Sequence, residues 1–113
     1  MNDRKRKRLK AHRKSWLDEK VHQIFDLCLK INGFEKRKRE ETGKLPTVFF
    51  DFSGHTAEIE VEIFLEGWNG GILYDNHLKY DIHLTGILYK QSKVEECYSK
   101  LKEIYESMEN END

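Results

Sequence analysis

The chain has little that would cross-link it, carry it through a membrane or mark it for export. Its two cysteines, Cys28 and Cys97, form no CxxC pair, which excludes a disulfide-rich scaffold and fits a reducing compartment. The longest apolar runs are three residues, as in Val48-Phe49-Phe50 and Ile63-Phe64-Leu65, far short of the ~20 that a membrane-spanning helix needs. The basic start resembles the n-region of a signal peptide, yet Ser15-Trp16-Leu17-Asp18-Glu19-Lys20 stands where an apolar h-region would follow. A cytoplasmic location is the expectation. Signatures of catalysis are missing too. Gly67-Trp68-Asn69-Gly70-Gly71 lacks the lysine and the following helix of a phosphate-binding loop. No nucleophile stands with a partnered base, so a noncatalytic protein is expected. His55, His77 and His83 lack the paired spacing of zinc ligands, although Asp75-Asn76-His77 and Asp81-Ile82-His83 set carboxylates near imidazoles. Neither a metal nor another cofactor is expected.

What the chain has in excess is charge, at 36% of residues against the usual quarter. That charge is divided along the sequence. Residues 1–44 carry 15 Lys/Arg against 7 Asp/Glu, whereas residues 45–113 carry 5 against 14. The net of −1 hides both halves. The extreme is the start, where Arg4, Lys5, Arg6, Lys7, Arg8, Lys10, Arg13 and Lys14 face only Asp3. Such a run repels itself unless a polyanion or an acidic protein surface neutralises it. A binding protein follows from this more readily than an enzyme.

A length of 113 residues suits one domain. Residues 1–14 read as a flexible basic arm and residues 15–113 as a single α+β domain. Ser15 with Asp18 three residues later suggests a helix start. After it Leu17, Val21, Ile24, Cys28 and Ile31 recur at helical spacing, joined by Trp16, Phe25 and Leu27. Asn32-Gly33 ends that helix. A second basic knot follows, Lys36-Arg37-Lys38-Arg39, which joins the patch of the arm if the chain turns back. Residues up to Lys44 fit a frayed helix or a loop.

Beyond Leu45-Pro46 the period changes to two. Val48, Phe50 and Phe52 share one face of a strand over Thr47–Phe52, and Phe49 and Asp51 the other. Ser53-Gly54-His55-Thr56 is turn chemistry. In Glu58–Glu66 the residues Ile59, Val61, Ile63 and Leu65 oppose Glu58, Glu60, Glu62 and Glu66, with Phe64 alone breaking the polar row. This predicts a half-buried antiparallel strand. A further strand holds Tyr80, Ile82 and Leu84, and Ile72–Tyr74 is a candidate fourth. Ser92-Lys93-Val94-Glu95 reads as a capping box. Behind it Val94, Cys97, Tyr98, Leu101, Ile104, Tyr105 and Met108 form one stripe, and Glu109–Asp113 is an acidic tail expected to fray. The expected architecture is a three- to four-stranded antiparallel sheet with two helices on its apolar face, in the order α-β-β-β-α.

Two surfaces are candidate binding sites. The basic residues, with Lys36, Arg37, Lys38 and Arg39 added, suit a nonspecific grip on nucleic acid or a nucleoprotein; the bland reading is a solubilising tail. No recognition helix, zinc pattern or aromatic platform points to sequence readout. Glu58, Glu60 and Glu62, with Asp51 and Asp81 on neighbouring strands, form an acidic sheet face. The bland reading there is a solvated surface that discourages edge association. The sharper one is mimicry of nucleic acid toward a basic protein cleft. Carboxylates ~6.6 Å apart along one strand are sparse beside one charge per ~1.7 Å of duplex, so mimicry would also need Glu103, Glu106 and the tail. A third option is self-association, arm to acidic face. Trp68, off any stripe, either caps the core edge or anchors a protein partner.

The helix–strands–helix order with Pro46, Gly54-His55 and Ser92-Lys93 is similar to a double-stranded RNA-binding domain. That family opens its last helix with lysines, whereas Val94, Glu95 and Glu96 follow Lys93 here, so RNA-duplex binding by this surface is not expected. Val48-Phe49-Phe50-Asp51-Phe52-Ser53-Gly54-His55, the alternating strand and Gly67-Trp68 resemble small phage and prophage proteins over residues 46–68. This resemblance implies a mobile-element accessory role, in counter-defence or host takeover. The alternative it leaves open is an anti-CRISPR-like inhibitor that presents Glu58, Glu60, Glu62 and Trp68 to a host protein.

Overall fold

A computed structural model describes residues 3–38, 45–68 and 77–111. Helix α1 spans Asp3–Asn32, strands β1, β2 and β3 span Thr47–Ser53, Glu58–Phe64 and His77–His83, and helix α2 spans Gln91–Glu111. The three strands form one antiparallel sheet in the order β1-β2-β3. Helix α1 packs over β1 and helix α2 over β3, and the two helices touch each other. The expected α+β architecture with two helices on the apolar face is therefore present. The candidate strand Ile72–Tyr74 lies outside the described residues.

Register explains which side chains are buried. Val61, at the centre of β2, faces Phe50 on one side and Tyr80 on the other, and Ile59 and Ile63 face Ile82 and Val48. These residues meet Leu17, Ile24, Leu27, Cys28 and Ile31 from α1 and Val94, Cys97, Leu101 and Ile104 from α2 in one buried cluster. Both helical stripes read from the sequence thus face the core. Phe25 and Phe52 do not join it fully: both are exposed, and Phe25 lies against Phe50 with ring centroids 5.0 Å apart. At the helix–helix contact Lys20 sits over the Tyr98 ring at 4.0 Å, an interaction worth about 0.5–1 kcal/mol at an exposed site.

Two helix starts differ from expectation. Ser15 does not cap α1, because the helix runs through it from Asp3. The segment expected as a separate arm is the first turns of that helix. Leu9, Ala11 and the surrounding Lys and Arg residues are all good helix formers, and nothing between Asp3 and Ser15 forces the chain to turn. Ser92 likewise lies inside the first turn of α2, which begins at Gln91; the Gln91 side chain donates to Glu95 at 3.1 Å.

At its other end α1 stops as expected. Gly33 adopts φ +82° and its N–H donates to the Leu29 carbonyl at 2.7 Å, a left-handed close that glycine makes without strain. Immediately before it, Asn32 binds β1 at two points. Its amide donates to the Val48 carbonyl at 2.6 Å, and its carbonyl oxygen accepts from the Val48 N–H at 2.9 Å. The side chain occupies the outer edge of β1 as a neighbouring strand would. Arg37 completes this junction, donating to the Ile31 carbonyl, to the Pro46 carbonyl at 2.8 Å and to Thr47 Oγ1 at 3.2 Å.

Two measurements check this packing. Leu101→Ala empties a fully buried site and should lower stability by ~2–5 kcal/mol in denaturant unfolding. Asn32→Ala strands both polar groups of Val48 and should cost about 1–3 kcal/mol. The buried thiols give a pH dependence. Burial pushes Cys28 and Cys97 from 9.0 up to about 12, so the folded chain keeps protons that the unfolded chain releases. Stability from this source is complete below pH 9.0 and falls as pH climbs toward about 12. At neutral pH both thiols should react with a disulfide reagent only as fast as the protein unfolds.

Candidate nucleic-acid interface

The basic residues of the sequence divide into two places. Arg4, Lys5, Arg6, Lys7, Arg8 and Lys14 are exposed along the first turns of α1, and Lys10 and Arg13 belong to the same helical segment. Among the described side chains, core contacts of α1 begin at Trp16 and Leu17. At 100° per residue these cations leave no side of the helix apolar. They also oppose the helix dipole, whose N-terminus favours anions; Asp3 is the one acidic residue of the first turn.

The knot after α1 does not join them. It follows the far end of a helix of 30 residues, about 45 Å long at 1.5 Å per residue. Its members also differ in kind. Lys36 and Lys38 are exposed, Arg37 is partly buried in the junction with β1, and Arg39 lies outside the described residues. A straight helix holds Lys36 and Lys38 apart from the cations of its first turns.

The acidic residues lie on the face of the sheet away from the helices. Glu60 is in register with Asp51 on β1 and Asp81 on β3, so three carboxylates form one row across the sheet. Like charges directly opposite in a sheet are destabilising. Part of this is relieved from β3. Lys79 pairs with Glu60 at 3.4 Å, His77 with Glu62 at 3.6 Å and His83 with Glu58 at 3.9 Å. Glu60 and Glu62 also crowd each other. Their mutual hydrogen bond holds Glu60 below the usual carboxylate value and, with burial, holds Glu62 above it.

Beside this row lies an aromatic cluster on the same face. The Phe64 ring stacks flat on His77, centroids 4.4 Å apart at 3°. Phe49 meets Phe64 and Trp68 edge-on, each at 5.5 Å. Phe64 is buried by these neighbours, whereas Phe49 and Trp68 remain 37% and 39% exposed. Trp68 thus borders this outer cluster, not the core between sheet and helices. Phe64, the residue that interrupts the glutamate row, was the sequence signal for the cluster. The three-carboxylate row becomes visible only once the strand register is known, and the polar junction of Asn32 and Arg37 gave no sequence signal.

Among the described residues no group of three or more His, Cys, Asp or Glu side chains is placed to hold a metal ion, and no helix is long and apolar enough to cross a membrane. Comparison with protein-family models, curated proteins and solved structures finds no match.

The carboxylate pair can be checked by following side-chain carbons through a pH titration. Glu62 should titrate above its ordinary value of 4.5 and Glu60 below it. Glu60→Gln should bring Glu62 back down, because the neighbouring charge that holds its proton is gone.

Proposed function

We propose that this chain is a noncatalytic nucleic-acid-binding protein that grips the phosphate backbone with the first turns of α1. The observation that carries this reading is a helical segment with exposed cations on every side and its charge set against its own dipole. Within the fold this arrangement costs stability; a polyanion reverses the sign of both terms. Cations on all sides suit a groove with phosphates on both walls, and the major groove of B-DNA, ~12 Å wide, admits a helix. A membrane surface would instead favour a helix with one apolar face. The grip is sequence-independent and electrostatic. With about four phosphate contacts, affinity would fall with salt at a log–log slope of about −3.6.

Lys36 and Lys38 belong to this reading only as a second, separate contact, and Arg37 is engaged in the junction with β1. The resemblance of residues 46–68 to phage proteins supplies a setting, a mobile-element accessory acting on nucleic acid or a nucleoprotein. The alternative, an anti-CRISPR-like inhibitor using Glu58, Glu60, Glu62 and Trp68, has less support. Lys79 pairs with Glu60 at the centre of that row, which dilutes the charge that a mimic of nucleic acid requires.

The test is fluorescence anisotropy with short DNA and RNA duplexes, comparing wild type with Arg4→Gln/Arg6→Gln/Lys7→Gln/Arg8→Gln. Glutamine preserves helix propensity and these positions lie outside the core, so folding is retained. Binding should be salt-sensitive in wild type and lost in the variant. Equal binding by both proteins, or no binding by wild type at about 50 mM salt, overturns the reading.

A further inference from the structure

The outer face of the sheet carries a cost that the chain offsets only in part, through the pairing of Lys79 with Glu60. Three carboxylates share one cross-strand row at Asp51, Glu60 and Asp81, and two more, Glu58 and Glu62, flank it on β2. Lys79 is the one permanent cation among the outward residues of the three strands. Next to this excess charge Phe49 and Trp68 present exposed aromatic surface. Among the described residues no helix or strand covers the face. A local rule broken with only partial internal compensation points to a partner.

The chemistry that fits is a rigid array of cations. Arginine and lysine pair with the carboxylates, and a guanidinium stacks on an aromatic ring beside them. The same chain holds such an array in residues 3–14 of α1, where the described cations are exposed. It cannot use that array on itself. Helix α1 lies on the core face of the sheet, and its continuous helical extension stays on that side.

We propose that the outer sheet face receives the basic turns of α1 from a second copy of this chain. The contact joins two different patches, so it either closes by reciprocal exchange between two copies or propagates head to tail. Its approach is electrostatically steered and therefore weakened by salt. It also occupies the helix that the proposed function assigns to nucleic acid, so self-association and nucleic-acid binding exclude each other. The self-contact stands independently of that function; the competition rests on it.

Sedimentation velocity on the full-length, nuclease-treated protein tests the contact. Wild type should associate as concentration rises at about 50 mM salt and be monomeric at about 1 M, where the screening length is ~3 Å. Glu58→Gln/Glu60→Gln/Glu62→Gln should stay monomeric throughout with an undiminished thermal melt. A charge exchange separates contact from folding. Arg6→Glu/Arg8→Glu and Glu60→Lys/Glu62→Lys should each fail to self-associate and should associate when mixed. Wild type that is monomeric at all concentrations, or a glutamine variant that associates as wild type does, overturns the proposal. Duplex DNA should disperse the wild-type assembly. Association that DNA leaves untouched supports the self-contact and counts against the nucleic-acid reading, which separates the two failures.

Discussion

The fold depends on a side chain that behaves as backbone. Asn32 gives Val48 both of the hydrogen bonds that a neighbouring strand would give, and so fixes the end of α1 to the edge of the sheet. Arg37 extends this junction to the chain leading into β1. Hydrophobic burial is large but non-directional; it would tolerate α1 at several positions along the apolar face. Two hydrogen bonds in a partly buried site do not. They set how the stripe from Leu17 to Ile31 meets the sheet, and they cover part of a strand edge that would otherwise be open to pairing.

Charge is arranged on the opposite logic. Where the core is satisfied, the surface is not: cations gather at the helix end that disfavours them, and carboxylates gather in one row on the sheet. Each arrangement sets like charges close together, relieved in the row by Lys79 beside Glu60. Helix α1 packs on the core face of the sheet and the carboxylates lie on the other face.

The parts of this fold that were legible in sequence are those with a period. The alternation from Glu58 to Leu65 and the stripe from Val94 to Met108 each specify one buried face, and the structure buries those faces. Gly33 was legible because a left-handed close needs its particular freedom. The helix starts were not, since Ser15 and Ser92 satisfy a capping pattern that the chain has no need to use when the preceding residues also favour helix. Asn32 and Arg37 were illegible for a different reason: their partners lie 16 residues away and 9 or 10 residues away along the sequence, and no local pattern announces such a bond. At the candidate site, sequence identified the cations and the glutamates but not their distribution. The length of α1 separates the two basic segments, and only register sets Asp51 and Asp81 beside Glu60.

The continuity of α1 through Ser15 makes the basic segment a lever and not a tether. A flexible arm would let its ligand tumble relative to the domain. A helix rooted in the core at Leu17, Ile24 and Ile31 transmits orientation instead, so whatever the first turns hold is presented at one angle to the sheet. If the first turns hold nucleic acid, as proposed, copies spaced along it would share a common phase, with their outer faces turned the same way relative to the local strand direction. The domain would act less as an anchor at the end of a string than as a flag set at a fixed angle to its pole.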